Sequence, residues 1–166
     1  MQSKTILRDL EAAGIGFAAS VPCKQLAGVI AGLAASPRIR HLPATREDEG
    51  MGLCAGAYLG GLRPVMVMQN TGLGVSVNVL ATLIQFYRLP LPMLISYRGE
   101  VGEAVACQAE MSIHTRPLLA QLHVPTYHFH HPRDVAELPG ILAHAFTISK
   151  PVAVLMDAGF WTGDQP

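Results

Sequence analysis

A three-layer α/β/α domain, built on a mostly parallel sheet of about six strands, is the fold class this 166-residue sequence predicts, with residues 1–166 forming one unit. Two observations lead there. Short apolar runs bounded by Gly and Pro alternate with longer stretches of helical period. The runs at 64–69 and 93–97 are also apolar at consecutive positions, as strands covered on both faces are.

The elements follow in order. Residues 1–10 place Ile6, Leu7 and Leu10 on one face and predict a short helix. Residues 15–21 predict a strand, which Pro22 stops because it has no N–H to give to a ladder. Residues 25–35 predict a helix with Leu26, Val29, Ile30 and Leu33 inward, and 38–42 a second strand. Residues 49–60 predict a tightly packed helix, since Gly50, Gly52, Ala55, Gly56 and Ala57 carry almost no side-chain bulk. A helix at 76–87 follows the strand at 64–69. A long loop without clear period, 98–112, follows the strand at 93–97. Helices at 117–122 and 134–148 flank a strand at 126–129; residues 152–156 close the sheet and 159–166 form a tail.

Composition narrows the function. Half of the chain is hydrophobic and 14% is charged, well under the roughly 25% of an average domain, which predicts an extensive subunit interface. The formal charge is zero, with no basic stripe, so nucleic acid and anionic membranes are not the expected partners. No apolar run approaches the roughly 18 residues of a membrane span, and residues 1–10 lack the apolar centre of a secretory signal. Cys23, Cys54 and Cys107 are odd in number and far apart, as reduced thiols of a cytoplasmic protein are.

Ligands of open parallel sheets bind beyond the carboxyl ends of strands, so the strand-to-helix junctions hold the candidate residues. The segment 44–50 crowds Glu47, Asp48 and Glu49 where a helix begins. Capping of the helix dipole accounts for Glu47 and Asp48. Glu49 abuts the glycine-rich face, so two readings stay open: another cap, or a buried acid of raised proton affinity that exchanges a proton with a ligand nitrogen. The segment 69–78 offers Gln69 and Asn70 as amides at a strand end. Gly72 and Gly74 there let a backbone approach a ligand, although no dinucleotide fingerprint or phosphate loop is present. Lys24 and Arg98 each follow a strand and, with Arg46, favour an anionic substrate if they share one crevice. His128, His130 and His131 cluster near a strand end without a carboxylate or cysteine beside them, and no metal site is expected. His114, after the long loop, is either an acid/base group or a plain polar loop residue, and Cys23 stands at a possible helix start without a Cys-His pairing that would make it a nucleophile.

Taken together and in order, these junctions resemble the sulfopyruvate decarboxylase α subunits and the amino-terminal part of phosphonopyruvate decarboxylases. The residues that carry the resemblance are Val21-Pro22-Cys23, the 46–50 segment ending Asp-Glu-Gly, LCAGAYLGGLR at 53–63, MQNTGLG at 68–74 and ISYRGEVGE at 95–103. The resemblance implies the pyrimidine-binding domain of a thiamine-diphosphate enzyme. It implies Glu49 as the carboxylate that hydrogen-bonds N1′ of the cofactor's aminopyrimidine, with Gln69, Asn70, Gly72 and Gly74 around it. Val75 stands where the family often has Asn. These enzymes hold the diphosphate through Mg²⁺ with Gly-Asp-Gly followed by Asn; the only Gly-Asp here is Gly163-Asp164, followed by Gln165. A β subunit carrying that half is therefore expected, in an αβ hetero-oligomer inactive without it. The implied reaction is decarboxylation of 3-sulfopyruvate to sulfoacetaldehyde. A phosphonopyruvate decarboxylase subunit is the alternative, and a non-catalytic domain that binds or regulates a thiamine enzyme is the alternative of another class.

Overall fold

The computed structural model describes residues 2–101, 103 and 105–161. In chain order its elements are α1 (Gln2–Ala12), β1 (Ile15–Ser20), α2 (Ala27–Ala35), β2 (Arg40–Pro43), α3 (Glu47–Leu59), β3 (Arg63–Gln69), α4 (Leu73–Val79), β4 (Leu91–Ser96), α5 (Ala106–Gln121), β5 (Thr126–Phe129), α6 (Leu138–Ile148) and β6 (Pro151–Met156). A 3-10 turn, Asn70–Gly72, leads into α4, and a π-helical stretch, Leu80–Gln85, continues it.

All six strands run parallel, in the order β2-β1-β3-β4-β6-β5. The chain turns from β1 outward to β2, then crosses back to place β3 on the other side of β1, so the β1–β3 boundary is a topological switch point. β3, β4 and β6 are buried nearly throughout, which is why their sequences are apolar without alternation. One face is covered by α1, α2 and α6 through Ile6, Leu33 and Leu142. The other is covered by α3, α4 and α5 through Met51, Leu73 and Leu119.

Several sequence expectations are corrected. The loop expected over 98–112 ends at Val105; α5 then runs unbroken to Gln121, with Pro117 inside it rather than at its start. Thr115 and Leu119 of α5 are buried and Met111 and Leu118 pack partly buried beside them, a helical stripe that the expected start at Pro117 cut in two. Of the glycines in α3, Gly50 does make a close contact, where a Cβ would sit 2.8 Å from the Met66 methyl, but Gly52 and Gly56 face open space. The tail expected from 159 is packed at its start, with Phe160 and Trp161 buried. Gly163 and Asp164 lie outside the described residues. Among the described residues no helix is long and apolar enough to cross a membrane.

Candidate functional site

Four junctions meet at the carboxyl ends of β1 to β4. Cys23 and Lys24 follow β1, the carboxylates 47–49 follow β2, residues 69–74 follow β3 and Arg98 follows β4. Side-chain bonds tie three of them together. The Asn70 amide donates to the Arg98 carbonyl at 2.9 Å and accepts the Arg98 N–H at 3.2 Å, and its second donor reaches Thr115 Oγ1 of α5 at 3.1 Å. Gln69 donates to Thr71 Oγ1 at 2.7 Å and to Gln108 Oε1 at 2.9 Å. Cys23 Sγ lies 2.9 Å from Ser96 Oγ, below Gln69. Both amides are thus spent on fixing the backbone around the crevice.

The three carboxylates at the start of α3 part company. Asp48 pairs with Arg46 at 2.9 Å and takes the Glu49 N–H at 3.0 Å. Glu49 is exposed, against the expectation of burial. Its Oε2 turns back to accept the Thr45 N–H at 2.8 Å and the Thr45 hydroxyl at 2.5 Å, a helix-capping arrangement. These bonds hold its carboxyl below the ordinary range, the opposite of the raised proton affinity expected for a buried acid. Glu47 is half-buried and turns to the other side, where its carboxyl rests on Gly72, so closely that a Cβ there would collide with it. Among the described residues the Glu47 carboxylate accepts no hydrogen bond and forms no ion pair. It lies on the same helical stripe as the buried Gly50, Met51, Cys54 and Ala55, a periodicity in the sequence that distinguishes it from Glu49.

The cations are placed differently from one another. Lys24 is exposed and, among the described residues, makes no ion pair. Arg46 is exposed and held by Asp48. Arg98 is largely buried in a two-pronged pair with Glu103, both bonds 2.6 Å, and Glu103 also accepts the N–H groups of Gly99 and Val105. The guanidinium pulls the Glu103 carboxyl down to about 2. Nothing in the sequence marked Glu103 as the partner of Arg98. His114 lies on the exposed side of α5 and not at the end of a loop. Cys54 is buried and its thiol is pushed up to about 12, so it is inert packing.

The Glu47 carboxylate lies against the buried Gly72, whereas the two open hollows beside α3 are lined by Glu49. Gly74, with open space around it, leaves room beside the first turn of α4.

No protein-family model matches the chain. It is 42% identical over 163 residues to the sulfopyruvate decarboxylase subunit alpha of Methanothermobacter thermautotrophicus, covering 96% of this chain and 97% of that one. It is 29% identical over 160 residues to a longer protein of Methanosarcina acetivorans named sulfopyruvate decarboxylase, of which it covers 41%. A phosphonopyruvate decarboxylase of Streptomyces viridochromogenes is 35% identical, but over 59% of this chain and 25% of that one. The switch-point crevice and near full-length similarity agree: this chain belongs to the family of sulfopyruvate decarboxylase α subunits.

Proposed function

We propose that this chain is the α subunit of a thiamine-diphosphate-dependent carboxy-lyase that, with a β subunit, converts 3-sulfopyruvate to sulfoacetaldehyde and carbon dioxide. The observation that carries the reading is Glu47, a half-buried carboxylate without a hydrogen bond among the described residues, resting on Gly72 beyond the carboxyl ends of the strands. Resemblance had pointed to Glu49, two residues on; the hydrogen bonds of Glu49 to Thr45 favour a capping role for it and leave Glu47 as the acid that faces the cofactor.

When bound, thiamine diphosphate supplies an electron sink for the charge left on the substrate carbon as carbon dioxide departs. The residues of this chain do the rest of the work on its side of the site. Glu47 holds the ring nitrogen N1′ and shares a proton with it. Gly72 gives that carboxyl its resting place, and Gly74 keeps the approach to α4 open. Gln69 and Asn70 act as positioning residues, since their amides lock Thr71, Arg98 and α5 into place. Lys24 is the cation best able to meet a sulfonate; Arg46 and Arg98 must first release Asp48 and Glu103. His114, exposed on α5, stays a secondary candidate for substrate contact.

The β subunit contributes Mg²⁺ and the diphosphate cradle. A relative named as a subunit, and a longer relative under the same activity name, support a second component. The short match to a phosphonopyruvate decarboxylase makes phosphonopyruvate the lesser substrate.

The test uses the chain assembled with its β partner, thiamine diphosphate and Mg²⁺. Glu47→Gln should lower turnover of sulfopyruvate at least about 100-fold, in the range of a lost acid/base group, while Glu49→Gln stays within about threefold. The reverse pattern would restore Glu49 to the catalytic role. With sulfopyruvate, phosphonopyruvate and pyruvate in competition, sulfopyruvate should be consumed first.

A further inference from the structure

The edge of the sheet at β5 and β6 holds a polar cluster to which the proposed function assigns no role. His128 in β5 and His130 just after it flank the buried Phe129, and Asp157 follows β6 beside them. Asp157 Oδ2 lies 2.9 Å from His128 Nε2 and 2.5 Å from His130 Nδ1. The three ligand atoms all fall within 4.8 Å of one another. The Asp157 side chain is 4% exposed, whereas those of His128 and His130 are 30% and 61% exposed. Its other oxygen accepts the Phe160 N–H at 3.2 Å, which fixes the carboxylate with Oδ2 toward the rings. A buried carboxylate, two imidazoles and an open solvent side amount to half of a coordination sphere with room for water in the rest.

We propose that His128, His130 and Asp157 bind one divalent transition-metal ion through two imidazole nitrogens and one carboxylate oxygen. Two nitrogens and one oxygen suit Zn²⁺, Co²⁺ or Ni²⁺; Mg²⁺ selects oxygen ligands and is a poor match. No metal is expected from the sequence because neither a cysteine nor a carboxylate stands directly beside the histidines along the chain. The parallel pairing of β5 with β6 brings one from 27 residues away.

The surroundings set the terms of binding. The Asp134 carboxylate accepts the backbone N–H groups of His130 and His131 at 2.8 and 2.7 Å, and together with Glu100 adds negative potential around His130. Arg116 opposes it, with Nη2 2.7 Å from His128 Nδ1. Since a guanidinium can only donate, the His128 proton sits on Nε2 in the metal-free chain and points at Asp157. Coordination through Nε2 moves that proton to Nδ1 and turns the exposed Arg116 away. Arg116 thus competes with the metal, and a glutamine in its place could instead accept the Nδ1 proton and orient the ring.

The untagged full-length chain, stripped with a chelator, is titrated with Co²⁺ and followed by visible absorption, then by calorimetry with Zn²⁺. One Co²⁺ per chain should bind with the ligand-field bands of a nitrogen-containing site, be displaced by Zn²⁺, and resist excess Mg²⁺. His130→Ala, at an exposed position that leaves the far-ultraviolet circular dichroism unchanged, should weaken binding at least about tenfold, and Arg116→Gln should strengthen it. Absence of saturable binding would reduce the cluster to hydrogen bonds alone and overturn the proposal. So would binding that His130→Ala and Asp157→Asn leave unchanged.

Discussion

Glu47 and Glu49 are separated by one residue and by about 200° around α3, since each helical residue advances about 100°. That rotation decides their chemistry. Glu47 joins the stripe that runs inward through Gly50, Met51 and Cys54, while Glu49 shares the outer side with Gly52, Leu53 and Gly56. The cluster of acids was legible in the sequence; which member turns inward required the true start of the helix, two residues earlier than the 49–60 expected. Gly72→Ala tests the inward placement from the opposite side. Gly72 has φ −70 and ψ −13, so alanine suits its backbone, but the new methyl group must displace the Glu47 carboxyl. The assembled enzyme should lose about tenfold or more in turnover, as misplaced catalytic groups do, while the melting temperature of the chain shifts by only a few degrees. Unchanged turnover would separate Glu47 from the reaction.

The segment from Arg98 to α5 is the element least visible in the sequence. Its inward stripe of Met111, Thr115, Leu118 and Leu119 is interrupted by a threonine and runs across Pro117, and Ile113 is exposed, so the periodicity did not announce one helix. Besides Leu119 in the core, polar bonds secure it: Asn70, Gln69 and the Arg98–Glu103 pair. The folded state depresses the Glu103 carboxyl from 4.5 to about 2. Its stabilising contribution is therefore fully present above the ordinary carboxylate value and disappears as the pH falls toward the folded value. The unfolding midpoint in denaturant should fall across that acid window, and Glu103→Gln should flatten the fall. Gly99 is the second anchor. Its φ of +99 is a left-handed conformation, and a Cβ there would strike the Gln108 carbonyl and Ser112. Gly99→Ala should destabilise the chain by about 1–3 kcal/mol in urea unfolding. A cost within error would mean that the loop has another conformation. The strands, by contrast, were legible at nearly their true limits, because consecutive burial leaves a continuous apolar run.

At the scale of the whole molecule, the α/β/α layering followed from the alternation of runs and helices. The order β2-β1-β3-β4-β6-β5 did not, since periodicity carries no information about which strands are neighbours. That order places the β1–β3 switch point beside the start of α3, and it also brings Asp157 to His128 and His130 at the opposite edge. The sparse charge has a counterpart on the surface. Leu59 at the end of α3, Phe86 and Tyr87 after the π-helical stretch, and Ile113 on α5 are all exposed, and all lie in the helical layer that contains Glu47. An apolar surface next to the proposed site is consistent with a second subunit. The most direct measurement is release of carbon dioxide from 3-sulfopyruvate by the purified chain, with thiamine diphosphate and Mg²⁺, before and after addition of the β subunit. The account predicts no turnover from the chain alone and turnover that rises to saturation as the β subunit is added; robust turnover without the β subunit would contradict it.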